Sequence, residues 1–89
     1  MLEVKSIIVS AGVESTIEFN KKHSLFLIKN FSSAPIRVSL GEQFNADNSI
    51  RINSGSYEEL SNESIQLDRY NKVSILPDGD GEVEIQCLE

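Results

Sequence analysis

One short acidic segment combines residue types and spacing that could do chemistry. In it, Asp78, Asp80 and Glu82 alternate with Gly79 and Gly81. Calcium loops use alternating carboxylates of this kind to place hard oxygen ligands around one ion. An EF-hand loop, however, needs roughly twelve residues and two flanking helices, and here β-patterned residues resume at once. We therefore expect the segment to serve turn geometry, and a calcium site at Asp78, Asp80 and Glu82 is the minor alternative.

The elements that would position this loop are two β-patterned runs. Lys72–Pro77 precedes the loop Asp78–Gly81, and Glu82–Cys87 follows it with apolar residues at every second position. Alternating runs joined by a short loop of turn-forming residues are typical of a β-hairpin. The sequence therefore predicts that these two strands pair with each other.

Two further residue types could be reactive, but each has a simpler interpretation. His23 is the only histidine, and neither an orienting carboxylate nor a nucleophile is evident near it, so we expect a surface turn residue. Cys87 is the only cysteine, so an internal disulfide and a thiolate zinc site are excluded. Its inward position in the last strand predicts a buried, inert thiol.

Tyr57 and Tyr70 are the two candidates for an interaction site. Tyrosine provides contact area at low entropic cost, so both could anchor a protein interface or stack on a sugar. Both border acidic, turn-like segments, so partial exposure is expected. A structural role in packing over the sandwich edge is the simpler alternative.

Composition excludes several function classes. The net charge is −6, and no basic cluster exceeds Lys21-Lys22, so we expect no nucleic-acid partner. The sequence contains no apolar run near the roughly 20 residues of a membrane span, and no signal peptide is recognisable. We therefore expect cytoplasmic synthesis without membrane insertion, although the final compartment is left open. Because no catalytic or phosphate-binding motif appears, we expect no enzymatic activity, no cofactor and no small-molecule ligand.

The apolar pattern predicts an all-β fold. Length and composition fit one domain over residues 1–89, in which Leu88-Glu89 resembles the remnant of an expression tag. Short alternating runs separated by Asn-, Asp-, Ser- and Gly-rich turns indicate about seven to nine strands. Ser24–Ile28 is apolar on both faces, which is typical of a central strand, and Glu42–Asn48 allows one helical turn at most. The prediction is a single antiparallel β-sandwich or jelly roll, with a partly closed small β-barrel as the alternative. The expected core residues are Ile8, Ile17, Phe19, Leu25, Leu27, Ile36, Val38, Leu40, Ile50, Ile52, Ile65, Val73, Ile75, Val83 and Ile85.

Residues 24 to 87 resemble a known class of small β-sandwich proteins. The resemblance lies in Pro35-Ile36-Arg37-Val38-Ser39, in Ile50-Arg51-Ile52 with its small-residue turn, and in the closing Gly81-Glu82-Val83-Glu84-Ile85. In this arrangement the chain is similar to virion-associated structural proteins of phages and prophages, of the decoration or tail type. The resemblance implies a virion component without an active site.

Two functions from different classes follow. The first is a non-enzymatic structural or assembly module, which acts through contacts with copies of itself or with larger virion proteins. The second is a ligand-recognition module that binds a glycan or a peptide near Tyr57 or Tyr70, with calcium at Asp78 and Asp80.

Overall fold

The computed structural model describes residues 2–61 and 69–89. One short 3-10 helix, Ala46–Asn48, begins after Asn45, whose side-chain oxygen accepts a hydrogen bond from the Asp47 N–H at 3.1 Å. None of the helical structure in these two ranges is long and apolar enough to cross a membrane. The strands are β1 (Glu3–Val9), β2 (Ser15–His23), β3 (Leu25–Asn30), β4 (Ile36–Leu40), β5 (Ile50–Ile52), β6 (Tyr57–Ser61), β7 (Tyr70–Pro77) and β8 (Gly81–Cys87).

The strands form two four-stranded antiparallel sheets. Sheet A has the order β1-β8-β3-β6, and sheet B has the order β2-β7-β4-β5. The pairs β1–β8, β2–β7, β3–β6 and β4–β5 are nested, as in one long antiparallel ribbon folded into two layers. That strand order is the double-sheet jelly roll. The predicted antiparallel sandwich is confirmed, and the alternative of a partly closed barrel is wrong because the sheets do not join.

The hydrophobic core lies between the inner faces of the two sheets. The alternation of apolar and polar residues in the sequence predicted most of the core residues correctly, because β2, β4, β7 and β8 each have one apolar face and one polar face. Leu40 and Ile50 lie half-buried at its margin, and Ile65 is outside the described residues. The buried residues that the sequence predicted are Ile17, Phe19, Ile36, Val38, Ile52, Val73, Ile75, Val83 and Ile85.

The predicted core is wrong at three positions in β1 and β3. Ile8 is 73% exposed, and Leu25 and Leu27 are only half-buried. These strands carry apolar residues in both phases, so alternation does not decide which set faces inward, and a shift of one residue exchanges the faces. β3 is central in sheet A as expected, because it lies between β8 and β6, but no second layer covers its outer side within the described residues. The side chains that are buried there are the neighbouring Val9, Phe26 and Ile28.

The predicted hairpin of the last two strands is also wrong. Both strands form, but β7 pairs with β2 and β4 in sheet B, whereas β8 pairs with β1 and β3 in sheet A. Residues 78–80 therefore cross from one sheet to the other. Packed sheets lie about 10 Å apart, and three extended residues span about that distance. A short polar connection between half-buried strands thus suits a crossover as well as a hairpin.

Four such crossovers lie at the same end of the sandwich, which we call the crossover end. They are residues 10–14, 31–35, 53–56 and 78–80, and each leads from a strand of one sheet to a strand of the other. Hydrogen bonds join the crossovers to the ends of neighbouring strands: the Gly12 N–H donates to the carbonyl of Pro77, the last residue of β7, at 2.8 Å, and the Gly55 N–H donates to the carbonyl of Asn30, the last residue of β3, at 2.8 Å. Because the ladders continue into these loops, the crossover end is a well-bonded part of the molecule.

Candidate protein-interaction face

The acidic loop makes hydrogen bonds to the crossovers on both sides of it. An Asp80 carboxylate oxygen accepts a hydrogen bond from the Ala11 N–H at 2.8 Å, and the Asp80 carbonyl accepts one from the Ser33 N–H at 3.0 Å. The Asp78 N–H donates to the Pro35 carbonyl at 3.0 Å. The loop that resembled a metal motif is thus an integral part of the crossover end.

A calcium site at this loop stays the minor alternative. The Asp78, Asp80 and Glu82 side chains are exposed, and one oxygen of Asp80 is already engaged with Ala11. Within residues 2–61 and 69–89, no group of three or more His, Cys, Asp or Glu side chains is placed to hold one metal ion. A calcium titration, described below, tests this alternative.

His23 is not the surface turn residue that the sequence predicted. It is the last residue of β2, its side chain is 3% exposed, and its Nε2 donates to Glu3 Oε2 at 2.5 Å. The Glu3 carboxylate also accepts hydrogen bonds from the backbone N–H groups of Asn20 and Lys21. The hydrogen bond from His23 is the main cause that lowers the pKa of Glu3 from 4.5 to about 2, and the Asn20 N–H adds to it.

The Glu3–His23 pair joins the two sheets at one side of the sandwich. Glu3 lies on β1, the edge strand of sheet A, and His23 lies on β2, the edge strand of sheet B. The His23 ring also packs edge-on against Phe19 and Phe26. In the described part of the chain, no serine, threonine or cysteine side chain is hydrogen-bonded to His23, so the pair has the features of a structural link.

Cys87 is buried as the sequence predicted. Its side chain is fully buried in β8, and burial raises the pKa of the thiol to about 11, with a smaller contribution from the negative charge of Glu3. A thiol that stays protonated near neutral pH and has no access to solvent is a poor nucleophile.

The two tyrosines lie at different ends of the molecule. Tyr57 begins β6 near the crossover end and is 67% exposed, whereas Tyr70 begins β7 at the opposite end and packs partly against the core. Tyr70 also borders a cleft of about 380 Å3 together with Leu40, Asn45, Asn48, Leu60 and Ser61. The fold therefore does not bring Tyr57 and Tyr70 into one site.

Tyr57 belongs to a broader surface, the outer face of sheet A, which we call face A. Its rows follow from the register: Ser6 lies opposite Glu84, Glu84 opposite Lys29, and Lys29 opposite Tyr57. The Phe31 N–H donates to the Glu82 carbonyl, which extends the ladder by one residue. Face A is formed by every second residue of the four strands, together with Leu2, which precedes β1, and Phe31, which follows β3. Its strand residues are Val4, Ser6 and Ile8 of β1, Glu82, Glu84 and Gln86 of β8, Leu25, Leu27 and Lys29 of β3, and Tyr57 and Glu59 of β6.

Face A carries nearly all the large apolar side chains that are exposed in the described residues. Five of the six are on it, with between 47% and 73% of their surface exposed, and the sixth is Val13 in the first crossover. Scattered apolar residues are ordinary on a protein surface, but here five lie on one sheet face, on both sides of the polar residues Glu82, Glu84 and Gln86 of β8. The five are Leu2, Val4, Ile8, Phe31 and Tyr57.

The charged residues of face A are mainly acidic. Glu59, Glu82 and Glu84 lie among the apolar residues, and Lys29 is the one basic residue on this face in the part of the chain that the structure describes. The Lys29 Nζ lies 3.7 Å from a carboxylate oxygen of Glu84, so its charge is largely matched within the face. Face A is thus an apolar surface with an excess of negative charge.

The outer face of sheet B is different, because the chain itself covers part of it. Residues 41–49, between β4 and β5, fold over this face and bury the hydroxyl-bearing Ser39 and Ser74 completely. The Ser74 hydroxyl donates to the Gly41 carbonyl at 2.8 Å, and the Ser39 hydroxyl accepts from the Asn45 N–H at 3.0 Å. Face A has no such cover among the described residues.

Comparison of the chain with protein-family models, with curated proteins and with solved structures finds no significant match. Function is therefore inferred from the geometry and from the resemblance described above. Of the residues on face A, only Tyr57 was recognised from the sequence as an interaction candidate. Leu2, Val4 and Phe31 were missed, and Ile8 was assigned to the core, because no local motif distinguishes an exposed apolar residue of a strand from a buried one.

Proposed function

We propose that this protein is a non-enzymatic structural or assembly module, of the virion-associated type found in phages and prophages, that binds other protein subunits through face A. The observation that carries the proposal is the concentration of exposed apolar side chains on an otherwise acidic sheet face. Leaving Ile8, Phe31 and Tyr57 in water is unfavourable, and burying them against a partner gives a non-directional driving force.

The size of the face supports this proposal. The molecule measures 34 × 27 × 19 Å. A rectangle of the two longer dimensions covers roughly 900 Å2, and a stable protein interface buries about 800 Å2 on each partner. One broad side of a molecule of this size is therefore comparable in area with a specific interface.

The fold is compatible with such a role. Double-sheet jelly rolls serve as viral capsid domains and as lectins, although a fold by itself does not define a function. Assignment to a virion rests on the resemblance of residues 24 to 87, and assignment to protein binding rests on face A.

Site-specific photocrosslinking tests the proposal in cells that produce the protein, or in particles that contain it. A benzophenone amino acid replaces Phe31 in one variant and Val13 in the other. Both positions are exposed and apolar, but only Phe31 lies on face A. We expect discrete crosslinked protein adducts from position 31 and none from position 13. Equal crosslinking at both positions, or none at position 31, would contradict the proposal.

A ligand-recognition module is the second candidate, and the cleft beside Tyr70 is the observation that favours it. Asn45, Asn48 and Ser61 supply polar groups there, while Leu40 and Tyr70 supply apolar surface. Screening of glycans and short peptides by NMR tests this function. Shifts confined to Leu40, Asn45 and Tyr70 would support it, and the absence of any shift at millimolar ligand would count against it.

A further inference from the structure

We infer that the partner of face A is the outer face of sheet B on a second copy of this chain. The contact region there is the arginine patch, which we define as Arg37, Arg51 and Leu76. This inference rests on the proposed function and adds the identity of the partner. It follows from the charge of face A, which carries Glu59, Glu82 and Glu84 against one lysine, and the opposite charge of the arginine patch.

The arginine patch places like charges next to each other. Arg37 on β4 lies directly opposite Arg51 on β5, and both side chains are exposed. Like charges at opposite positions of an antiparallel pair destabilise it, and a bound group that supplies negative charge relieves that repulsion. The Arg37 Nη1 donates to the Ser49 hydroxyl at 3.3 Å. No carboxylate in the described part of the chain lies within 4.0 Å of either guanidinium group.

Face A presents the groups that an arginine pair recognises. Guanidinium groups form paired hydrogen bonds with carboxylates and stack on aromatic rings. On face A, the Glu82 carboxylate lies in the same row as Phe31, and Tyr57 lies one row further along. Leu76, which is half-buried beside Arg37, adds apolar surface to the patch.

A symmetric contact of face A with itself is less favourable. It would bring Glu59, Glu82 and Glu84 of one copy towards the same residues of the other, and Lys29 is already paired with Glu84. The net charge of −6 increases that repulsion. Contact between unlike faces avoids it, because the acidic excess of face A then lies against the arginine patch.

Such a contact is heterologous, because it joins two different surfaces. In a pair of molecules joined in this way, one molecule still has a free face A and the other a free arginine patch. A heterologous contact repeats from copy to copy, so it produces a ring if the rotation closes and an open stack if it does not. Either product is suited to a module that assembles along or around a larger structure.

Sedimentation velocity over a concentration series, at low and high salt, tests this inference. We expect the mean mass of the wild-type protein to rise with concentration and to fall when salt is added. Glu82→Arg and Arg51→Glu should each weaken association by about tenfold or more, because each places like charges in the contact. A mixture of the two variants should associate nearly as well as wild type, because each contact then joins opposite charges again.

Glu58→Arg is the matched control, since Glu58 is an exposed glutamate of β6 whose side chain points to the opposite side of the strand from face A. It should leave association unchanged. A wild-type protein that stays monomeric at every concentration overturns the inference, as does a mixture that associates no better than either variant alone. If Phe31 still gives crosslinks to another protein in that case, the proposed function stands and only the identity of the partner is wrong.

Discussion

Asp80 accepts a hydrogen bond from the backbone N–H of Ala11 across 69 positions of sequence, at a distance of 2.8 Å. This bond joins the connection between β7 and β8 to the connection between β1 and β2. The acidic loop therefore has a structural task that does not require a metal ion. The same arrangement makes Asp80 and the nearby Asp78 a matched pair, because both carboxylates are exposed but, in the described residues, only the carboxylate of Asp80 is hydrogen-bonded to another crossover.

Asp80→Ala should destabilise the protein, whereas Asp78→Ala should not. Loss of the bond to Ala11 at an exposed site should lower the free energy of unfolding by about 1 kcal/mol. The change at Asp78 should stay within about 0.5 kcal/mol, because its backbone bond to Pro35 is kept. Urea unfolding followed by fluorescence or circular dichroism measures both, and equal losses would refute the structural role of Asp80.

The same loop provides a direct test for calcium. Because a ligand that binds only the native state raises its stability, a calcium site would raise the melting temperature of the wild-type protein. We expect no shift at millimolar calcium. A shift that disappears in Asp78→Ala would instead support the ligand-recognition alternative.

Gly81→Ala should cost considerably more stability than Gly12→Ala. Both glycines have positive φ, +146° at Gly81 and +74° at Gly12, so alanine is strained at either position. At Gly12 the added Cβ meets open space, and the cost should be about 1 kcal/mol. At Gly81 it would lie 2.5 Å from the Cα of Ser32, and a backbone shift in a packed crossover should raise the cost to roughly 3 kcal/mol. Similar unfolding midpoints for the two variants would contradict this packing.

The Glu3–His23 pair predicts how stability depends on acid. The pKa of Glu3 is about 2 in the folded protein and 4.5 ordinarily, so its ionised form stabilises the fold above about pH 4.5. That contribution is lost as the pH falls towards about 2. Glu3→Gln should therefore be less stable than wild type at neutral pH, and the two stabilities should converge in acid.

Glu59→Gln controls for the loss of one negative charge, because Glu59 is exposed on face A. It should not reproduce the convergence in acid. Chemical unfolding at a series of pH values measures all three proteins. If the difference in the free energy of unfolding between wild type and Glu3→Gln is the same at every pH, ionisation of Glu3 does not contribute to stability.

Cys87 should be protected from thiol reagents in the folded protein. Its side chain is fully buried, and its thiol has a pKa raised to about 11, so reaction requires local or global opening. We expect labelling with a disulfide reagent at pH 7 to be at least about 100-fold slower than in urea. Rapid labelling without denaturant would mean that β8 opens easily at its end.

The fold class was predictable because alternation is a local property. In β4, Ile36 and Val38 alternate with Arg37, and in β8, Val83 and Ile85 alternate with Glu84, so these strands and their inner faces could be identified. In β1 and β3 both phases are apolar, and only the packing of the second sheet decides between them. The pairing of β7 with β2 and β4 depends on residues far away in sequence, so a local hairpin pattern did not predict it.

The candidate site was less predictable than the fold for the same reason. Tyr57 was recognised by its type, but face A becomes a surface only when β1, β8, β3 and β6 are placed side by side. The partners Glu3 and His23 are 20 residues apart, and neither belongs to a motif. The composition of the loop Asp78–Gly81 resembled a metal motif, but its Asp80 carboxylate accepts a hydrogen bond from the distant backbone N–H of Ala11.

The most direct test of face A as an interaction surface is hydroxyl-radical footprinting of the two tyrosines. Oxidation is measured in the isolated protein and in its native assembly. Tyr57 lies on face A, and Tyr70, at the other end of the molecule, is a control of the same residue type. We predict that assembly strongly reduces oxidation of Tyr57 and of Phe31, while oxidation of Tyr70 changes little. An assembly in which Tyr57 and Phe31 are oxidised as rapidly as in the isolated protein would contradict the role of face A.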